Sequence, residues 1–447
     1  MSSSLMLPVI TIDPTFPSVI QDVQNGILPS EKFWLSCYKT SQPSVHAKVI
    51  AELDEVNRDL VRLMDPMGDV EITQDREGNY KVSCRSLAIP PTRIELPIQQ
   101  YLDPERSHIQ HPQRITAFDV SPDTTRFATG FLDGSVFLYP TTVLSPKSQF
   151  HTPTSLTVAK PTRTTSRPHL STVTQLQFFP SSRVLLSAGA DFSLSILPAD
   201  LPESTSPSGT RITPARTLRG HTRAVTATGI IGPGRNILST SLDSTLKLWD
   251  VPSSTVIATL PAHSPILSAS LGERPPVPPN GESVVLPGAT DDREVPETRS
   301  KVVFCGLQDG AFEQMDLGMK RSVYTSSTGV GLTSINYSEA HHLLATGSSK
   351  GTVTLYDTRS LSVPLTSFWR NEAGIEDIAF VDGDAGRIGL AIATTDGLPY
   401  VADVVPEGPA VRAELVGGDC DPVRNVRVRG REVWSAGDDA VVRRYLF

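Results

Sequence analysis

The stretch TLRGHTRAVTATGIIGPGRNILSTSLDSTLKLWD, Thr217 to Asp250, decides how the rest of the chain is read. It runs through a short β-type segment, a Gly-His pair, an alternating segment, a turn, a second segment, an Asp turn, and a third segment ending in Trp-Asp. Short runs rich in β-branched side chains, bounded by Gly, Asn and Asp, read as four antiparallel strands.

The pattern returns from about residue 111 onward, and aligning each copy on its last turn gives seven. That turn falls at Asp133, Asp191, Asp243, Asp309, Lys350, Asp396 and Asp439. The last three intervals, 41, 46 and 43 residues, have the length of one four-stranded propeller blade. The earlier intervals of 58, 52 and 66 contain insertions. Thr141 to Pro168 and Ala199 to Pro214 are Ser/Thr/Pro-rich, and Gly272 to Ser300 carries PPVPPNGE and a run of charges. Such compositions bury too little apolar surface to offset their ordering entropy, so mobile surface loops are expected there.

This period, with its GH and WD marks, resembles the WD40 β-propeller family over roughly three quarters of the chain. The resemblance implies an all-β fold: a seven-bladed propeller with a small N-terminal extension domain. It also implies a structural hydrogen-bond network in the best-marked repeat, formed by His221, Ser239 or Ser241, Asp243 and Trp249. In other repeats Tyr139, Tyr356 and Tyr445 stand where the Trp would be, and His111, His169 and His263 are candidate partners. Repeats are placed at about 111–140, 169–198, 217–250, 263–316, 328–359, 372–404 and 414–447. The seventh ends after its third strand, so its outer strand is expected from the apolar stretch at about 96–102, closing the ring. That sets a propeller at 93–447 and a β-rich N-terminal module at 1–92, in which FWLSCYK, VIAELDEV and GNYKVSCRSLAI read as strands.

Composition narrows the function classes. A 447-residue chain that is 38% hydrophobic and 20% charged, with net charge −8, reads as a globular protein. The acidic balance argues against a long phosphate-binding stripe and for a basic protein partner, not nucleic acid. No apolar run is long enough to span a membrane, and the first residues lack a basic, apolar leader. Cys37, Cys84, Cys305 and Cys420 show no metal or disulfide spacing, which points to the cytoplasm and nucleus. GxSxG, HExxH, GxxxxGK[ST] and strand-linked GxGxxG are all missing, so no catalytic residue, metal ligand or cofactor is assigned. The turn aspartates are expected to cap their own backbone, and Cys305 in VVFCG to be a buried small apolar group.

Two segments stand out from that background. YDTR, Tyr356 to Arg359, is similar to the WDxR box of cullin ubiquitin-ligase substrate receptors, with Tyr for Trp. GGDCDPVRNV, Gly417 to Val426, replaces a Gly-His loop with one residue added and an acid on each side of Cys420. No further Cys or His follows to complete a metal site, and the two acids disfavour a thiolate.

GGDCDPV, the closing GDDAVVRRYLF, FWLSC and YKVSC together resemble the proteasomal ATPase-associated factor family. The resemblance implies a monomeric, non-catalytic adaptor. Its members bind the C-terminal domains of proteasomal ATPase subunits during assembly of the regulatory-particle base, through acids on one propeller face. Glu376, Asp377, Asp419 and Asp421 are the candidates for that contact, expected on the loop face that bears the Gly-His positions.

Overall fold

In a computed structural model the chain is described throughout except at residues 1–3, 55–59, 76–77, 107–112, 143–153, 159–161, 202–209, 275–290, 295–297 and 384–385. Seven antiparallel sheets follow one another along the chain, each beginning with an innermost strand. Those strands are Ile115–Val120, Val173–Phe178, Val225–Ile231, Ile266–Glu273, Leu332–Ser338, Ile375–Asp382 and Val423–Arg429. The first and seventh innermost strands pack against each other, so the blades form a closed ring, numbered here 1 to 7 in that order. This is the seven-bladed β-propeller expected from the repeat.

All seven innermost strands carry a bulge at the same place, at Thr116, Thr174, Thr226, Leu267, Thr333, Glu376 and Arg424. A bulge re-aims its side chain, and at Thr116, Thr226, Thr333 and Glu376 it reaches the next blade. The hydroxyls of Thr116, Thr226 and Thr333 donate to the carbonyls of Val173, Ile266 and Ile375 on that next blade. Apolar clusters fill the space between blades, such as Leu238, Leu248 and Ile266 with Val303, Leu307 and Met315 between blades 3 and 4. Each fully buried side chain of this size contributes roughly 1.5–3 kcal/mol.

Blade 7 takes its outer strand from ahead of blade 1. Gln99–Leu102 pairs antiparallel with Val441–Leu446, Leu102 opposite Val441 and Gln99 opposite Arg444. The insertions correct the expectation of plain loops. Thr164–Ser166 is the fourth strand of blade 1, Thr210–Arg211 pairs on its edge, and Thr154–Thr157 pairs on Gln99–Leu102. The reason lies in the sheet: the third strand of blade 1 would otherwise expose a row of unpaired backbone groups, and the insertion supplies the partner.

The N-terminal module holds a four-stranded sheet, Val9–Ile12, Ser30–Tyr38, Val45–Leu53 and Val61–Met64, and one helix, Phe16–Gln24. The helix buries Phe16, Val19, Ile20 and Val23, spaced on one face, against Phe33, Leu35, Val49, Tyr80 and Val82. In the same core the Cys37 and Cys84 thiols meet, and burial pushes Cys37 up to about 12. Strands Val70–Gln74, Tyr80–Cys84 and Ile89–Glu95 join the module to the ring. The last of these pairs in parallel with Ala410–Leu415, the outer strand of blade 6, so that sheet has seven strands.

The first residues reach a neighbouring blade. Leu5–Met6 pairs in parallel with Thr366–Trp369 of blade 5. Beside it Arg370 and Glu414 form an ion pair, both side chains only 4% exposed. Arg370 Nε donates to the Pro8 carbonyl at 2.9 Å and its guanidinium lies 4.1 Å from the Tyr400 ring centre. Glu414 accepts the Ile10 backbone N–H at 3.0 Å. One buried charge pair thus links blades 5 and 6 to the N-terminal strand.

Candidate partner-binding face

The loops into each innermost strand and the Asp turns lie at one end of the blades, here called the turn face. Six turns repeat one device: Asp133, Asp191, Asp243, Asp309, Asp396 and Asp439 each accept the backbone N–H two residues on. The carboxylates therefore fix the turns, as a local cap does.

Blade 3 carries the fullest network. His221 Nδ1 lies 2.9 Å from Asp243 Oδ2 and its Nε2 lies 2.7 Å from Ser239 Oγ, which also accepts Trp249 Nε1 at 2.8 Å. Ser241 instead donates to the Arg223 carbonyl. Blade 2 keeps His169, Asp191 and Ser187 without an aromatic. In blade 4 His263 meets Asp309 and Glu313 and stays partly exposed. Tyr445 donates to the Val416 carbonyl and Tyr139 to Asp103. His111 lies outside the described residues.

Burial pushes the Asp243 carboxyl up. The Thr245 hydroxyl, the Thr222 N–H and His221 more than offset this and hold it at about 2. A carboxyl whose folded value is depressed contributes stability above its unfolded value near 3.9, and that contribution is lost as pH falls toward 2. The expected size is about 2 kcal/mol. Urea titrations at pH 7, 5 and 3 should therefore show Asp243→Asn less stable than the parent at pH 7 and 5, with the gap narrowing at pH 3. A gap independent of pH would refute this.

The four candidate contact acids separate into two pairs. Glu376 and Asp377, expected on the loop face, lie instead within strand Ile375–Asp382 and are only partly exposed. Glu376 occupies the bulge that Thr fills in four other blades, and it reaches the next blade and pairs with Arg424 at 2.9 Å. Arg424 in turn forks onto Asp438. Asp377 accepts the Val426 N–H and pairs with Arg427, which also lies 3.4 Å from Asp119 of blade 1. Asp119 in turn accepts the Phe178 N–H of blade 2. Both acids thus pair with arginines of blade 7 across the seam between blades 6 and 7.

Asp419 and Asp421 are different. Both are exposed in the loop between blades 6 and 7, and neither has an ion pair among the described residues. The loop lies on the Asp turn of blade 6. Gly397, at φ +75°, leaves no room for a Cβ, which would meet the Asp421 carbonyl at 2.7 Å. Cys420 is exposed between them, and the Asp419 hydrogen bond with the two nearby charges pushes its thiol up, which disfavours the thiolate. Among the described residues no group of three or more His, Cys, Asp or Glu is placed to hold a metal ion, and no helix is long and apolar enough to cross a membrane.

The fold and its capped turns define a WD40-repeat β-propeller, an interaction scaffold for proteins. The sequence pattern of the family "WD domain, G-beta repeat" matches residues 103–139, 160–196 and 212–250, in blades 1 to 3 and the strands leading into them. A ribosome biogenesis protein, ytm1, of Aspergillus niger is 27% identical over 198 residues, 42% of this chain. The chain spans 40% of that relative's length.

Proposed function

We propose that the protein is a non-catalytic adaptor, of the cytoplasm and nucleus, that binds C-terminal domains of proteasomal ATPase subunits while the regulatory-particle base is assembled. The observation that carries this reading is the Gly417 to Pro422 loop. It carries the DCDPV part of the resemblance to the proteasomal ATPase-associated factors, and it presents Asp419 and Asp421 on the turn face without an ion pair among the described residues. Two carboxylates on a loop held against a rigid turn favour a basic helical surface, mainly through encounter rate and selectivity.

A ribosome-assembly role is the second reading, favoured by the likeness to ytm1. The ubiquitin-ligase reading is disfavoured by Arg359, whose guanidinium folds back onto both oxygens of Asp357. Affinity purification of the full chain from cells, read by mass spectrometry, separates the three. Free ATPase modules without completed proteasomes support the proposal. Pre-ribosomal particles or a cullin adaptor, with no ATPase, would overturn it. The variant Asp419→Lys with Asp421→Lys should leave the melting temperature unchanged and weaken ATPase-domain binding by at least tenfold. Undiminished binding would remove the loop from the contact.

A further inference from the structure

We infer that the turn face of blades 1 and 2, with the loop entering blade 3, is a second binding surface, fitted to an acidic peptide with apolar anchors. Three large apolar side chains stand exposed there: Leu170 at 86%, Leu132 at 54% and Phe192 at 44%. They are neighbours in space. The His169 N–H donates to the Gly134 carbonyl, which joins the Leu132 turn to the Leu170 loop. The Leu170 N–H donates to Asp191 at 3.0 Å, and Phe192 follows Asp191 in the next turn.

Phe192 is the unusual member. It has φ +69°, at the turn position that the other blades give to Gly134, Ser244, Gly310, Gly351, Gly397 and Ala440. A bulky aromatic there meets both backbone strain and solvent, and neither serves the fold.

Charge identifies the occupant. Arg167 and Arg219 border the patch and Arg223 lies in the loop entering blade 3, all exposed, and none has an ion pair among the described residues. Strand register puts Arg219 opposite Ser193, beside Phe192. Arg167 Nε donates to the Asp133 carbonyl, and Arg223 lies two residues beyond His221. The carboxylates nearby are already engaged, Asp191 by His169, Ser193 and Leu170, and Asp133 by Ser135 and Arg106. Unpaired guanidiniums around aliphatic anchors fit Asp or Glu interleaved with Leu or Phe. Two of the three anchors are aliphatic and Phe192 alone of them is aromatic, where successive bases need successive stacking platforms, which argues for peptide over single-stranded RNA. This surface lies on other blades than Asp419 and Asp421 and has the opposite sign of charge, so it stands independently of the function proposed above.

The test is selection of a phage-displayed random 12-residue peptide library on the intact chain. Fluorescence polarisation with the best enriched peptide then follows. Enrichment in Asp and Glu alongside Leu or Phe is expected. Exchanging the acids of that peptide for Lys should weaken binding at least tenfold. Phe192→Gly with Leu170→Ser, and separately Arg219→Glu with Arg223→Glu, should do the same without lowering the melting temperature, since Gly suits the turn and the arginines make no ion pair. Overturning results are enriched peptides without excess acid, no enrichment at all, either variant pair binding the peptide as tightly as the parent chain, or a 15-residue oligouridine that displaces the peptide.

Discussion

A chain ending at Ala440 is expected to lose the ring altogether. The seven residues removed include Val441–Leu446, the strand between Glu432–Gly437 and Gln99–Leu102, so two sheet edges open at once. Val442 leaves the aromatic cluster of Tyr101, Phe127, Tyr139 and Trp434, and Tyr445 leaves the seam between blades 6 and 7. The Arg444 contacts with Gln99 and Glu432 go as well. Loss of these buried side chains alone exceeds roughly 5 kcal/mol, comparable with the whole stability of an ordinary domain. Circular dichroism on heating should show no cooperative transition, and trypsin should cut within the blades. A single sharp melt within a few degrees of the parent would refute this.

The second large effect is expected at Arg370. Removing one member of a buried ion pair leaves the other charged and without a counter-ion, at a cost of about 3–5 kcal/mol. Arg370→Leu strands Glu414, whose carboxyl burial already pushes up against the pull of Arg370. It also removes the donor to the Pro8 carbonyl. The cost should fall on the N-terminal strand before the ring. Hydrogen exchange at Leu5 to Ile12 should accelerate by at least a hundredfold, while amides of blades 2 and 3 stay protected. Adding Glu414→Leu should recover part of the protection, because two apolar groups no longer leave a buried charge. Unchanged exchange at Leu5 to Ile12 in the single variant would show that this pair does not hold the strand.

How much of this was legible in the sequence depends on how local each cause is. The Asp turns are legible because each carboxylate satisfies a backbone group two residues away, so the motif is its own explanation. His221, Ser239, Asp243 and Trp249 come together because their strands recur at a fixed spacing. Glu376 and Asp377 mislead for the same reason that they matter. Their partners Arg424 and Arg427 lie one repeat later, and only the column of bulge threonines shows that position 376 points across a seam. Phe16–Gln24 reads poorly as a helix, being nine residues with a proline and three β-branched residues, and it is held by packing more than by propensity. The N-terminal docking is least legible: the Ile10 to Glu414 hydrogen bond spans 404 residues, and no local pattern encodes it.

The strand that closes the ring sets a timetable for the chain's own birth. Gln99 is made early, yet its partner Arg444 lies 345 residues later. At roughly 5–20 residues per second, Gln99–Leu102 waits on the order of 20–70 s for that neighbour. Ile89–Glu95 waits almost as long for Ala410–Leu415. During translation the nascent protein therefore carries two open strand edges well before the blades that cover them exist. Unpaired strand edges are prone to aggregate, so that interval is when a holding chaperone would act on this chain.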